Sequence, residues 1–434
     1  MKDKITVFMA KSYDLVVGDT FQLYYRGIIQ SSNPYKYQII ATCEKGKHFP
    51  RYFEFTPTEV GSYSLNISVY DDDLNIIGSA DTTLNVCKPA PAKKPVKVLV
   101  IGDSFSSSGD WINEVYRRIT ASDGEPQGLG CDGLKFVGKV KKGDISHEAY
   151  GGFEWRNFSS QVVGGITLEV NHDKTEEDQH SIWKDEKGAL WQLETIERGY
   201  LKFNRYLDHK SARPERGTLY HERNAINQEP IVFNTSWTRA GSPFINTETG
   251  KIDFRNYLKE IGEEKIDVVY AFLGGNGLLR PEAIKNTRED YCKNVLLKEA
   301  KEVVDMILDA CPNVKIKVVS CPFLSSRGGL GSNYGAIPPF NSYLNLANYY
   351  ITLGKTYQDW ADEEGYKDRL EYINVSSQYD SEHNLPHILK PVNVRSSKTE
   401  WFDVNGGHPT RCGYKQIADA IYRNLVKERF SEKQ

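Results

Sequence analysis

The stretch Val96-Lys97-Val98-Leu99-Val100-Ile101-Gly102-Asp103-Ser104-Phe105-Ser106 decides how this 434-residue chain reads. Five of its first six residues are apolar, too dense a run for a strand with one face in water, so it reads as a strand buried on both faces. Gly102-Asp103-Ser104 breaks the run. Trp111, Ile112, Val115 and Ile119 then recur three or four apart, the spacing of an amphipathic helix. Strand, tight turn and helix set the Ser104 hydroxyl at the carboxyl edge of a sheet, where open α/β sheets hold their ligands. Taken alone, the same residues also fit an ordinary helix N-cap.

Outward from this run the alternation continues. Ile266–Leu273 reads as a second core strand and Val314–Val319 as a third. Between them Val295, Leu296, Ala300, Val303 and Ile307 mark a helix that stops at Cys311-Pro312, and Tyr414–Phe430 forms a last amphipathic helix. Strands separated by helices predict an α/β domain over 96–434, with a mostly parallel sheet covered on both faces. From about 160 to 262 the pattern turns β-rich: 189–197 and 200–206 flank Arg198-Gly199 as a hairpin, Asp185–Gly188 forms another turn just before it, and the segment is too long to be a bare loop. Residues 1–87 read as all-β. Ser62–Tyr70 alternates at the strand period, and Phe21–Tyr25, Tyr37–Ala41 and Thr82–Val86 are further short strands. Pro57, Gly61 and Tyr63 resemble the corner of an immunoglobulin-like fold, so a small β-sandwich is expected. Lys88–Pro95 holds three prolines and reads as a semi-rigid linker.

Composition narrows the function classes. Lys plus Arg total 55 against 58 Asp plus Glu, a net charge of -3, which argues against a polybasic nucleic-acid or membrane binder but leaves room for a local patch. Hydrophobic residues reach only 39%, but aromatics make up 12%, enough large side chains to bury a core. No run of eighteen apolar residues predicts a membrane span. Met1–Met9 holds too short an apolar run for a signal peptide. Localisation stays open between extracellular or cell-surface, reached with a leader outside this sequence, and cytoplasmic or phage-borne. The seven cysteines are dispersed without a CxxC pair and read as buried free thiols, and the nine histidines show no HExxH spacing.

Four places hold chemistry together. Ser104 opens the first helix. His408, in Trp401–Thr410, opens the last one and has the side chain that usually activates a serine. Gly274-Gly275-Asn276-Gly277 follows the second core strand and brings an amide to the same sheet edge. His147–Trp155 contains Gly151-Gly152, which leave a backbone N–H accessible. Each segment alone also reads as a plain turn.

In this order the four segments resemble the blocks of the SGNH (GDSL-like) hydrolase superfamily, over roughly 96–160 and 262–430. The resemblance implies a three-layer α/β/α flavodoxin-like domain, with Ser104 as nucleophile and His408 as its base. Its oxyanion donors would be the Ser104 N–H, Gly152 (Gly151 is a close contender) and the Asn276 amide. It implies no cofactor and no metal. Two positions depart from the pattern. Asn405 stands where the family places an Asp three residues before the histidine. Asp403, or a backbone carbonyl, are the alternatives for orienting His408. Gly277 stands where an Asp is common.

An immunoglobulin-like module ahead of an SGNH domain resembles bacterial carbohydrate esterases that remove O-acetyl groups. The expected partner is therefore an acylated carbohydrate, with no nucleic acid, no membrane span and an open oligomeric state. Trp155, Trp183, Trp191, Trp237 and Trp401 offer flat faces for sugar rings, with the insertion as one wall of the cleft. No long exposed apolar segment of an interfacial lipase is expected. The competing readings are a non-catalytic glycan-binding surface or phage-tail protein, and a thioesterase or lysophospholipase.

Overall fold

The computed structural model describes residues 4–159, 167–172, 182–186, 190–197, 199–205, 216–221, 230–234, 242–246, 249, 251–325 and 343–432. The chain divides into two compact units, one made of 1–154 and 264–434, the other of 155–263.

The first unit begins with β1 (Ser12–Val16), β2 (Phe21–Tyr24), β3 (Gln38–Cys43), β4 (Lys47–His48), β5 (Tyr52–Phe55), β6 (Gly61–Tyr70) and β7 (Ile76–Cys87). They form a four-stranded sheet, β1-β7-β6-β3, and a three-stranded sheet, β2-β5-β4. Tyr63, Leu65, Ile67 and Val69 of β6 point inward as its alternation requires, and share one core with Leu15, Leu23 and Phe53. β1 escaped the sequence reading because it pairs in parallel with the distant β7.

These sheets are fastened to the rest of the unit. Asp19 accepts from Arg118 at 2.5 Å and Arg423 at 2.8 Å, and the Arg118 guanidinium lies 3.6 Å from the Tyr422 ring centre. The Pro-rich segment is also held: the Ala90 N–H donates to the Phe430 carbonyl at 2.7 Å.

β8 (Val96–Gly102) is the buried strand anticipated, with Val98 through Ile101 wholly inaccessible. The helix Asp110–Thr120 buries Trp111, Ile112, Val115 and Ile119. β9 (Leu134–Val137), β10 (Val140–Lys142) and β11 (Ile145–Ala149) follow. β9 and β11 share one edge of β8: β9 pairs with Val96–Leu99, β11 with Ile101 and Gly102.

The second unit contains β12 (Thr167–His172), β13 (Ile182–Asp185), β14 (Leu190–Glu197), β15 (Gly199–Arg205), β16 (Arg216–His221) and β17 (Ile231–Asn234). They build an antiparallel sheet, β12-β15-β14-β13-β16-β17. β14 and β15 are the hairpin foreseen; Ala189, Arg198 and Tyr206 lie outside the described residues, as do Lys187 and Gly188 of the preceding turn.

β18 (Val268–Phe272), β19 (Lys315–Val319) and β20 (Leu370–Ile373) complete the main sheet, whose parallel order is β11-β8-β18-β19-β20. The helical segment before β19 is continuous, but residues 292–296 form a π turn ahead of the helix Leu297–Ala310. That extra residue shifts the phase of the apolar face. The last helix is Arg411–Arg429. β21 (His387–Pro391) and β22 (Thr399–Asp403) form a separate two-stranded hairpin.

Two expectations are corrected. All seven cysteines are free, but only Cys131, Cys292, Cys311 and Cys321 are buried; Cys43 and Cys87 are half-buried, and Cys412 is exposed at the first turn of the last helix. An exposed apolar segment does exist: the β21–β22 hairpin leaves Leu389 62% and Val394 100% accessible. Its apolar residues are interrupted by Lys, Pro, Asn and Ser, so no continuous run betrays it in sequence. No described helix is long and apolar enough to cross a membrane.

Candidate active site

The carboxyl end of β8 makes the turn that presents Ser104. Asp103 caps the short helix Ser104–Ser107 by accepting from the Phe105 N–H at 3.0 Å, which puts Ser104 at the first helical position. The turn is tight enough to need Gly102, because a Cβ there would lie 2.8 Å from Ser106 Oγ. Trp111 Nε1 donates to that hydroxyl at 3.1 Å, tying the helix start to the next helix.

Ser104 and His408, 304 positions apart, meet: His408 Nε2 is 2.8 Å from Ser104 Oγ. Both are half-buried. The imidazole packs on Phe105, ring centres 5.6 Å apart, and Phe105 stacks on Phe272 of β18. Burial pushes the His408 pKa below its ordinary value, so the ring is neutral, and able to accept a proton, across the neutral range.

The loop that delivers His408 is held at several points. The Asn405 side-chain oxygen accepts from the N–H groups of Gly407 at 3.0 Å and His408 at 2.9 Å. Ser325 donates its hydroxyl to Asp403, and its N–H to the Gly406 carbonyl at 2.9 Å. Thr410 caps the last helix by accepting from the Gly413 N–H at 3.2 Å. Asn405 thus shapes the loop backbone, and Asp403 anchors the loop's start on Ser325. Ser325 was missed from the sequence, since nothing local marks a partner 78 residues away. The Asn405 turn was readable, because Asn followed by two glycines is the signature of an Asx turn.

Gly152 and Asn276 also come to this edge. The Tyr150 N–H donates to the Gly102 carbonyl at 3.0 Å, and the Phe153 N–H returns to the Tyr150 carbonyl at 3.1 Å. Within that turn Gly152 adopts φ +74°, and the space where a Cβ would sit is open. The Asn276 amide nitrogen donates to Asp103 at 3.3 Å and to the Phe153 carbonyl at 3.1 Å, linking the Gly152 turn to the residue before Ser104. Asp103 is buried, and desolvation pushes its carboxyl up to about 7. Behind Asn276, Arg280 is bound by Glu154 and by Glu299 at 2.6 Å, all three largely buried.

Other expectations fare differently. Trp155, Trp183 and Trp191 are wholly inaccessible and offer no face to a sugar, because large aromatic rings fill cores best. Trp401 is exposed, but its ring is stacked on His387 at 4.0 Å. Trp237 lies outside the described residues. Among the described residues, Asp380, Glu382 and His383 have metal-ligand spacing, yet Arg51 binds Asp380 at 2.6 Å and Glu382 at 2.9 Å. Both carboxylates are therefore already paired with one guanidinium.

No family model and no curated protein matches the chain. Among solved structures, the chain is similar to a carbohydrate esterase of family 3 from Talaromyces cellulolyticus, with 12% identity and a TM-score of 0.36 over 76% of this chain and 97% of that one. A carbohydrate acetylesterase from Sinorhizobium meliloti gives 10% and 0.32 over 76% and 99%. A possible lipase from Chitinophaga pinensis gives 12% and 0.31 over 76% and 98%.

Proposed function

We propose that this chain is a serine esterase of the SGNH type that hydrolyses O-acyl, foremost O-acetyl, esters of carbohydrates. The observation that carries the reading is the 2.8 Å contact between His408 Nε2 and Ser104 Oγ at the carboxyl edge of the parallel sheet. His408 takes the Ser104 proton as the hydroxyl attacks the acyl carbonyl, then gives it to the leaving alcohol. Negative charge on the tetrahedral oxygen is met by the N–H groups of Ser104 and Gly152 and by the Asn276 amide, which turns one N–H from its longer bond to Asp103 toward the oxyanion, each such donor being worth about 3–4 kcal/mol. Water, activated by the same imidazole, releases the acid from the acyl-enzyme. Asn405 acts as a positioning residue for His408.

The strand order β11-β8-β18-β19-β20 supports a flavodoxin-like three-layer domain, and the two N-terminal sheets around one core support an immunoglobulin-like sandwich. The carbohydrate assignment follows the resemblance of these modules to bacterial O-acetylesterases. Acetate release from acetylated sugar or p-nitrophenyl acetate, abolished in Ser104→Ala together with fluorophosphonate labelling, is the test. Turnover that survives Ser104→Ala, or absence of labelling in the wild type, overturns the reading. The exposed β21–β22 hairpin favours a second one, a lysophospholipase or thioesterase. Preference for long acyl chains over acetyl in a chain-length series would select it.

A further inference from the structure

We propose that the β21–β22 hairpin docks this protein on an anionic phospholipid bilayer. Among the described residues, the large apolar side chains left in water concentrate here: Ile388, Leu389, Val394, Trp401 and Phe402 are 45%, 62%, 100%, 36% and 41% accessible. In the register of the hairpin, Ile388 faces Phe402 and Leu389 faces Trp401. Successive pairs point to opposite sides of the ribbon, so both faces are apolar, and among the described residues no third strand joins it. A patch of this kind marks an interaction site rather than scattered surface residues.

Charge selects the occupant. Lys390, Arg395 and Lys398 are exposed on the same ribbon, and Glu400, opposite Lys390, is its only exposed acid. The Lys390 ammonium sits 3.8 Å from the Phe402 ring centre. The ribbon is therefore cationic and apolar together, on a chain whose net charge is -3. A bilayer with anionic headgroups satisfies both halves: Val394 and Leu389 enter the acyl boundary while the cations meet phosphates. A second copy of the hairpin would set like charges against one another. A glycan offers hydroxyls rather than apolar depth, and the Trp401 face is already stacked on His387.

The docking surface is continuous with the site. β22 ends at Asp403, the Val404 N–H is bound to the Pro386 carbonyl at 2.8 Å, and His408 follows five residues after Asp403. A docked hairpin would therefore bring the Ser104–His408 pair to the membrane interface. This holds independently of which ester is cleaved.

The test is co-sedimentation of the full chain with phosphatidylcholine vesicles containing phosphatidylglycerol, compared with pure phosphatidylcholine. The wild type should pellet with the anionic vesicles and be released by salt. Leu389→Asp with Val394→Asp should stay in the supernatant, and Lys390→Glu with Lys398→Glu should lower partitioning about 30-fold or more. Thermal unfolding checks that both variants stay folded. Wild-type protein left in the supernatant with anionic vesicles at low salt overturns the proposal, as does wild-type partitioning of either variant. A dimer in sedimentation velocity that Leu389→Asp with Val394→Asp dissociates would make a second copy the occupant and equally overturn it.

Discussion

Asn405→Ala is the sharpest test of how His408 is held. The Asn405 side-chain oxygen accepts two backbone N–H groups, from Gly407 and from His408 itself, in a half-buried loop. Alanine removes both bonds. Each is worth about 1 kcal/mol net, so the productive loop conformation loses about 2 kcal/mol relative to its alternatives. That corresponds to about a 30-fold fall in kcat/KM. The loss should appear in kcat with KM near the wild-type value, since the side chain acts through the imidazole and not on the substrate. Asn405→Asp keeps both acceptors and should keep the activity. Its carboxylate also adds negative charge beside the imidazole, which favours imidazolium and moves the acidic limb of the pH–rate profile upward. Initial rates on p-nitrophenyl acetate across the acidic and neutral range give both quantities. Near wild-type kcat in a folded Asn405→Ala protein would refute the positioning role, and a limb that moves down in Asn405→Asp would refute the electrostatic part.

Further outcomes follow from the same geometry. In the wild type, burial lowers the His408 pKa, so the acidic limb of kcat/KM should have its midpoint below 6.5, with activity rising as pH rises through it. Asp103 has its carboxyl raised from 3.8 to about 7 by burial, so the folded state holds a proton that the unfolded state has lost. Its contribution is full below pH 4 and is lost as pH rises through about 7, a decline of at most about 4 kcal/mol. Urea midpoints should therefore fall more steeply from acidic to neutral pH in the wild type than in Asp103→Asn, whose amide oxygen can still cap Phe105. Arg280→Met leaves Glu154 and Glu299 buried without their guanidinium and should cost about 3–5 kcal/mol, read from urea unfolding. Gly152→Ala meets no atom but forces an alanine to φ +74°, about 1–2 kcal/mol of strain, and should lower kcat more than thermal stability.

Legibility tracked how local each signal was. β8 and β18 were visible because a strand buried on both faces is a dense apolar run, β19 because Ile316, Val318 and Val319 stand out between lysines, and the helix Asp110–Thr120 because its face repeats within eleven residues. β20 was missed: it has four residues, and Glu371 in its middle is stabilised by Lys317 from β19 at 2.6 Å. The aromatic residues misled in the opposite direction. Trp155, Trp183 and Trp191 have the chemistry of a sugar platform and the size of a core filler, and only packing distinguishes the two.

The sequence by itself determined the α/β pattern, the turn that exposes Ser104, the glycines around it and the presence of His408 in a loop before a helix. Those features depend on periodicity, turn chemistry and residues within a few positions of one another. Tertiary structure alone decided that Ser104 and His408 stand 2.8 Å apart, and that Asp403 spends its carboxylate on Ser325. It also decided that the hairpin 387–403 leaves both apolar faces in water. Each of these depends on contacts, or on the lack of a covering layer, between segments far apart in the chain. Local pattern records neither.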